Sequence, residues 1–295
     1  MDFTGERYVP NLDSPEISYE HWHRYLYATQ FAEGKVVLDI ACGEGYGSDL
    51  LAKNAKKVTG VDISEETISH AKKTYKKDNL EFLIGSVADV PIDGKGIFDL
   101  IVSFETIEHV CEEDQKKFMK EVKRLLKPNG VFICSTPDKK AYSDLSEYKN
   151  EFHVKEFYKE EYEDFLKGYF KNVDVFGQKI WTASYIWEKG IKNLKFREFG
   201  LEYGNGKFAP ADGEKDFLYL VAVCSENEVG GESSILTDLS GTILRGKDEL
   251  ISGLDKHAKN LEAVIVDKDK HAKNLEAVIV DKDKHAKNLE AVIVD

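Results

Sequence analysis

LDIACGEGYGSDL, residues 38 to 50, is the stretch that decides how this chain folds. An apolar run, VVLDIA (36 to 41), predicts a strand, and the apolar pair Leu50 and Leu51 belongs to a following helix. Between them stand glycines at alternate positions, Gly43, Gly45 and Gly47, four residues after the carboxylate of Asp39. A strand that ends in a glycine-rich turn and opens a helix offers bare backbone N–H groups and a positive helix end to an anion.

The pattern continues on both sides of that turn. VTGVDI (58 to 63) precedes the helical EETISHAKKTYKK, and LEFLIGS (80 to 86) leads to a loop near Pro91. FDLIVSF (98 to 104) precedes the amphipathic DQKKFMKEVKRLL, and VFICST (131 to 136) follows the turn KPNG. After the helical FYKEEYEDFLKGYF come VDVFGQKI (173 to 180), an aromatic-rich insert and FLYLVAVCS (217 to 225), two late strands that read as a hairpin. The expected fold is therefore α/β: a doubly wound, Rossmann-like, mostly parallel seven-stranded sheet with an antiparallel edge strand.

The glycine spacing narrows the ligand. Dinucleotide sites use G-x-G-x-x-G to cradle a pyrophosphate. Here the spacing is G-x-G-x-G, and Asp39 at the entrance would repel a pyrophosphate. A ligand carrying a carboxylate and an ammonium group together tolerates both features, and S-adenosylmethionine is such a ligand. Asp62, ending the second strand nineteen residues after Gly43, is placed to accept both ribose hydroxyls. Ser86 and Val87, past the third strand, border the adenine. The expected cofactor-binding set is Asp39, Ala41, Gly43, Gly45, Gly47, Asp62, Ile63, Ser86, Val87 and Glu105. A glycine-rich turn by itself is as often a packing device.

With these pieces in order, the sequence resembles the class I S-adenosylmethionine-dependent methyltransferases over roughly residues 35 to 225. DIACGEGYG, VTGVDIS, GSVADVP, FDLIVSFETIEHV and LLKPNGVFICSTP carry the resemblance. Ser86 stands where that family commonly has an acid. The resemblance implies the cofactor, the fold and a methyl transfer.

For an acceptor hydroxyl a base is wanted, and the candidates are His21, His23, His109 and His153. His109, in FETIEHV after the fourth strand, stands at the carboxyl edge of the sheet; it serves either as the base or as a wall of the pocket. His153, in NEFHVKEF, forms an oriented base with Asn150 and Glu156, or else is a surface or capping histidine. His109 and His153 are the two catalytic candidates. No residue is assigned to a metal. The segment FTGERYVPNLDSPEISYEHWHRYLYA packs two Arg, two His, a Trp and four Tyr ahead of the first core strand. Aromatic faces with Arg and carboxylate forks suit a sugar, so Glu6, Arg7, Tyr8, His21, His23 and Arg24 are candidate substrate contacts on a lid. The plainer alternative is a helix in which Trp22, Tyr25 and Leu26 face the sheet. This segment, with SFETIEH, STPDKKAYSD and NEFHVKEF, is similar to methyltransferase domains found beside glycosyltransferases in bacterial surface-polysaccharide proteins. That likeness implies O-methylation of a glycan or nucleotide-sugar-like substrate, capping of a growing chain, and a glycosyltransferase partner. A small-molecule methyltransferase of the quinone-biosynthesis kind, and a scaffold with a vestigial cofactor domain, are the competing readings.

The 295 residues suffice for one main domain and an appendage. A formal charge of −13 argues against a nucleic-acid partner. The start, MDFTGERYVP, lacks a signal peptide and no run is long enough to span a bilayer, so a cytoplasmic protein, at most peripheral at the inner membrane face, is expected. Cys42, Cys111, Cys134 and Cys224 lack metal-type spacing and read as reduced. Near the carboxyl terminus KHAKNLEAVIVDKD starts at Lys256 and recurs at Lys270 and Lys284, a period of two heptads. With Ala258 at heptad position a, Ile265 and Ile279 share that position and Leu261, Leu275 and Leu289 fall at d. The register runs back through Leu254, Ile251 and Leu244. This predicts a coiled-coil helix and a homo-oligomer, against which stand Lys268 and Lys282 at d and the β-branched VIV triplets. The expected division is a lid segment (1–34), a methyltransferase domain (35–228), a linker (229–243) and the coiled coil (244–295).

Overall fold

The computed structural model describes residues 15–186, 199–202, 207–210 and 215–293. The chain divides into two compact units, Met1–Thr237 and Asp238–Asp295. That division falls inside the stretch expected as linker.

The first unit is built on seven strands: β1 (Val36–Ile40), β2 (Lys57–Asp62), β3 (Leu80–Ile84), β4 (Phe98–Ser103), β5 (Leu126–Pro137), β6 (Asn172–Gln178) and β9 (Tyr219–Ser225), in the order β3-β2-β1-β4-β5-β9-β6. β1 to β5 pair in parallel. β9 runs antiparallel to both β5 and β6, so the two late strands do form the expected hairpin at that edge of the sheet. Two further strands, β7 (Phe199–Glu202) and β8 (Lys207–Pro210), pair with each other in the insert.

Alternation along the strands divides the core between two faces. Leu38, Ile101, Phe132 and Leu220 pack with Phe118, Met119 and Val122 of α4 (Glu112–Leu125) and Tyr162 of α5 (Lys159–Lys167). Val37, Leu100, Val102, Ile133 and Val221 pack with Tyr25 and Tyr27 of α1 (Pro15–Ala28) and Leu51 of α2 (Tyr46–Leu51). α4 shows why the pattern folds: its buried residues fall three and four apart, Glu112, Glu113 and Asp114 occupy its first turn, and Lys123 and Arg124 its last. α3 (Glu65–Thr74) is capped by the Ser64 hydroxyl, which accepts from Thr67 N–H at 3.3 Å.

Two local expectations are corrected. KPNG is no simple turn before a strand. It is a bulge inside β5: Leu126 already pairs with Phe98 and Val131 with Leu100, so residues 127 to 130 loop out opposite Asp99. A lysine reaching back explains the hold, since Lys127 Nζ lies 2.8 Å from the Asp99 carboxylate. On α1, Tyr25 is buried as expected, but Leu26 is 39% exposed and does not face the sheet.

In the second unit a single helix, α6 (Thr242–Ile293), carries the first two repeats and the third as far as Ile293. The VIV triplets at 264–266 and 278–280 are helical, so side-chain pattern outweighs β-propensity there. Asp238 and Ser240 cap its start: the Asp238 carboxylate accepts from Ile243 N–H at 2.9 Å, and the Ser240 hydroxyl from Thr242 N–H at 3.2 Å. Ile251, Leu254, Leu261, Ile265, Leu275 and Ile279 are all at least half exposed. Among the described residues no helix is long and apolar enough to cross a membrane.

Candidate active site

The strand order reverses between β1 and β4, and in open α/β sheets the crevice outside the carboxyl ends at that point takes the ligand. A cavity of about 450 Å³ lies there, a size suited to a small organic ligand. Each parallel strand delivers its first following residues to it: Ala41 and Gly43 after β1, Asp62 and Ile63 at β2, Ser86 and Val87 after β3, Glu105 after β4.

The glycines serve three different needs. Gly43 has a left-handed backbone (φ +54°) and open space where a Cβ would project, room left on the cavity side. A Cβ on Gly45 (φ +89°) would sit 2.6 Å from the Phe82 ring, and one on Gly47 would lie 2.0 Å from the Tyr25 ring. Gly45 and Gly47 therefore let a strand side chain and α1 close against the turn; they do not border the cavity. Asp62 fastens the turn from the neighbouring strand, accepting Gly43 N–H at 3.0 Å on Oδ2 and Ser64 N–H at 2.9 Å on Oδ1. Each oxygen keeps a lone pair, which fits a vicinal diol. Ile63, 74% exposed, gives an apolar face beside it. The features together fit S-adenosylmethionine: open backbone at Gly43 for the methionine end, Asp62 for the ribose, Ile63 and Val87 for the base.

Asp39 departs from expectation. Its carboxylate is wholly buried, accepts from Ser48 Oγ at 2.6 Å and from Tyr25 Oη at 3.1 Å, and does not line the cavity. Burial pushes its pKa up to about 7, against the pull of those two hydrogen bonds. It ties α1 and α2 to the end of β1 beneath the turn, one layer below any ligand.

Ala41 (φ 60°) and Glu105 (φ 50°) hold left-handed backbones without being glycine, and both are at the cavity. Such conformations persist where surrounding structure over-determines them. Glu105 is held by Ser135, whose hydroxyl donates to its Oε1 at 2.6 Å, and by Arg24, whose Nη1 lies 3.5 Å away.

The amino-terminal candidates separate. Glu6, Arg7 and Tyr8 lie outside the described residues. His21 lines the cavity with its Nδ1 3.0 Å from Tyr46 Oη; burial and then Arg24 push its pKa well below the ordinary value, so it is neutral. Arg24 is buried, donates from Nε to Gln178 Oε1 at 2.7 Å, and stacks over the Tyr219 ring at 4.3 Å. It supports Glu105 from behind and is not a wall of the cavity. His23 reaches the other way, 2.9 Å from Ser234 Oγ. Arg24 and His23 are thus removed from the set that borders the cavity.

At the far end the two catalytic candidates meet. His109 and His153 both line the cavity, their rings edge to face with centroids 5.0 Å apart. His109 Nδ1 lies 3.1 Å from the Phe152 carbonyl. His153 has Glu156 Oε1 2.5 Å from Nδ1 and Asn150 Nδ2 3.1 Å from Nε2, and Tyr142 stacks on its ring at 5.4 Å. Beneath them Glu108 is fully buried; burial first, and then the neighbouring Glu105, push its carboxyl well above the ordinary range. Sequence reasoning did not select Glu108, Tyr46, Tyr142 or Tyr219. The second carboxylate of FETIEH was a signal for Glu108, whereas the tyrosines come from three separate elements and only the fold gathers them.

Residues 38–134 match the family described as Methyltransferase domain. A "Probable S-adenosylmethionine-dependent methyltransferase" of Mycolicibacterium smegmatis is 35% identical over 162 residues, 53% of this chain and 60% of that protein. A "Ubiquinone biosynthesis O-methyltransferase" of Coxiella burnetii is 35% identical over 123 residues, 40% of this chain and 51% of that protein. The chain thus spans little more than half the length of these relatives. The crystal structure of the PH0226 protein from Pyrococcus horikoshii OT3 shares the fold at a TM-score of 0.50 and 23% identity, over 74% of this chain and 94% of that one. Glycine turn, placement of Asp62, strand order and relatives agree, and the stretch around residues 38–134 is similar to S-adenosylmethionine-dependent methyltransferase domains.

Proposed function

We propose that this chain transfers the methyl group of S-adenosylmethionine to an acceptor hydroxyl. One observation carries the reading: the His109, His153 and Glu105 side chains close the same cavity that Asp62 and Gly43 open. Bound there, the cofactor supplies an electrophilic methyl on a sulfonium; the acceptor oxygen forms the new C–O bond, the S–CH3 bond breaks with its electron pair staying on sulfur, and the hydroxyl proton passes to a base. The Glu156 carboxylate on Nδ1 of His153 fixes that ring's tautomer and leaves the lone pair on Nε2, which suits it to take the proton. Phe104, Val110 and Pro137 give the cavity apolar walls, which suits a transfer whose charge disperses in the transition state.

The acceptor we favour is a sugar hydroxyl of a bacterial surface glycan or its precursor. Tyr142, Tyr219 and Asn150 at the histidine end combine aromatic faces with hydrogen-bonding groups, the combination a sugar ring uses. A ring hydroxyl of a quinone precursor is the second reading, favoured by the relative from Coxiella burnetii. We further propose that α6 joins copies of the chain, since its Ile and Leu positions are exposed along the heptad register.

Calorimetric titration with S-adenosylmethionine tests the core of this reading. Saturable binding that Asp62→Ala weakens about 100-fold is expected, a loss of about 3 kcal/mol; absence of binding to the wild type refutes it. Methyl incorporation into sugars or into catechols then separates the two acceptors, and binding without turnover on either leaves the domain a scaffold.

A further inference from the structure

Two loops converge on one small volume at the histidine end of the cavity. Residues 105–109 follow β4, and residues 150–156 belong to the connection between β5 and α5. The Glu108 carbonyl stitches them together by accepting from Val154 N–H at 2.8 Å and Lys155 N–H at 3.0 Å. The stitch brings one donor atom from each of Glu108, His109 and His153 within 4.8 Å of one another.

The partners of these three side chains are those that metal ligands use. Glu108 Oε2 accepts from Thr136 Oγ1 at 3.1 Å, but its Oε1 is buried and has no hydrogen-bond partner. A buried carboxylate oxygen left bare costs free energy unless a cation or donor meets it. His109 Nε2, 3.9 Å from that oxygen, carries the lone pair when Nδ1–H donates to the Phe152 carbonyl. His153 Nε2 does the same when Nδ1–H donates to Glu156, and Glu156 is itself held by the Ser143 hydroxyl at 2.7 Å. Imidazoles oriented by a carbonyl or a carboxylate on the second nitrogen are the usual outer support of a metal centre.

We propose that Glu108, His109 and His153 bind one divalent transition-metal ion of the zinc or manganese class, with coordination positions open toward the cavity. Two neutral imidazoles and one carboxylate suit such an ion and leave room for oxygen ligands. A bound ion draws the three donors inward from their present spacing and displaces the Asn150 amide from His153 Nε2. Its role rests on the acceptor end proposed above and replaces the proton transfer to His153 Nε2, which the ion would occupy: adjacent hydroxyls of the acceptor would complete the coordination, become more acidic there and release the proton to water. Binding of the ion itself does not depend on that role.

The test is a titration of the metal-free full-length protein with Co²⁺ alone, followed by its d–d absorption and by competition with Zn²⁺, without cofactor or acceptor. The three tail histidines, His257, His271 and His285, are about 21 Å apart along α6 and cannot share an ion; a variant with all three changed to Ala removes their weak binding. In that background one equivalent of Co²⁺ is expected, lost in His109→Ala and in His153→Ala and weakened about 10- to 100-fold in Glu156→Gln. S-adenosylmethionine binding in each variant reports that the domain is folded. Should the alanine variants not fold, Glu156→Gln alone carries the reading. Failure to bind Co²⁺ stoichiometrically, or binding unmoved by these changes, overturns the site even if S-adenosylmethionine binds and methyl transfer is intact.

Discussion

His109 and His153 stand edge to face, 5.0 Å between ring centroids, although one follows β4 and the other precedes α5. Two alternatives in the sequence thus become one unit. Groups that act as a unit do not contribute additively. Single-turnover methyl transfer is expected to fall about 100-fold in His153→Gln and in His109→Gln, and the double variant to lose little more than the worse single one. Fully multiplicative losses would separate the two histidines again.

Gly43→Ala and Gly47→Ala should fail in different ways. The Gly47 Cβ would enter the Tyr25 ring, so overpacking of about 3 kcal/mol is expected in chemical denaturation. The Gly43 Cβ meets nothing, and a left-handed alanine costs about 1 kcal/mol. Its methyl intrudes on the cofactor instead, and calorimetry should read an affinity drop of about tenfold or more. Equal affinity losses in the two variants would contradict this division.

The Asp39 carboxyl ionises near 4 in the unfolded chain and at about 7 in the folded one. Between those values the folded protein holds a proton that the unfolded chain has released. Stability therefore declines as pH rises from about 4 to about 7 and is level above that, by up to about 4 kcal/mol from this group. Glu20, also raised to about 7 by burial, adds in the same direction. Asp39→Asn should flatten the slope in urea melts at pH 5 and pH 8; an unchanged slope assigns it elsewhere.

Arg24 and Glu105 form a pair with the arginine fully buried. Arg24→Met leaves Glu105 beside apolar surface without its cation and should cost about 3 kcal/mol. Adding Glu105→Gln should recover a good part of that. Independent costs in the double-mutant cycle would show that Tyr219 and Gln178, rather than Glu105, are what Arg24 serves.

Ile265 and Ile279 share one heptad position and are exposed on α6. The full chain should sediment as an oligomer, and Ile265→Asp with Ile279→Asp should return it to a monomer without changing cofactor affinity. A monomeric wild type would leave the stripe without a role in self-association.

The sheet was legible because strand and helix periods differ, and runs such as VVLDI and DLIVS stand out between amphipathic helices. Asp62 was legible too, since its place follows from strand order. Asp39 was not: spacing located it at the strand end but could not tell which way a side chain turns on a pleat, and Tyr25 and Ser48 claim it from below. Arg24 and His23 misled because composition marks a segment, whereas a helix sends adjacent residues to different sides. The tyrosines at the cavity were invisible because nothing local brings 46, 142 and 219 together.

The repetition of one fourteen-residue unit along α6 carries a consequence for how the protein can vary. Fourteen residues add about 21 Å and close nearly four turns, falling short by about 40°. Gain or loss of one whole unit leaves every seam residue in phase and turns the distal end by that same angle. Such a helix behaves as a graduated rod: its length changes in fixed steps while its lateral chemistry stays constant, and two copies displaced by one step meet the same side chains as two copies aligned.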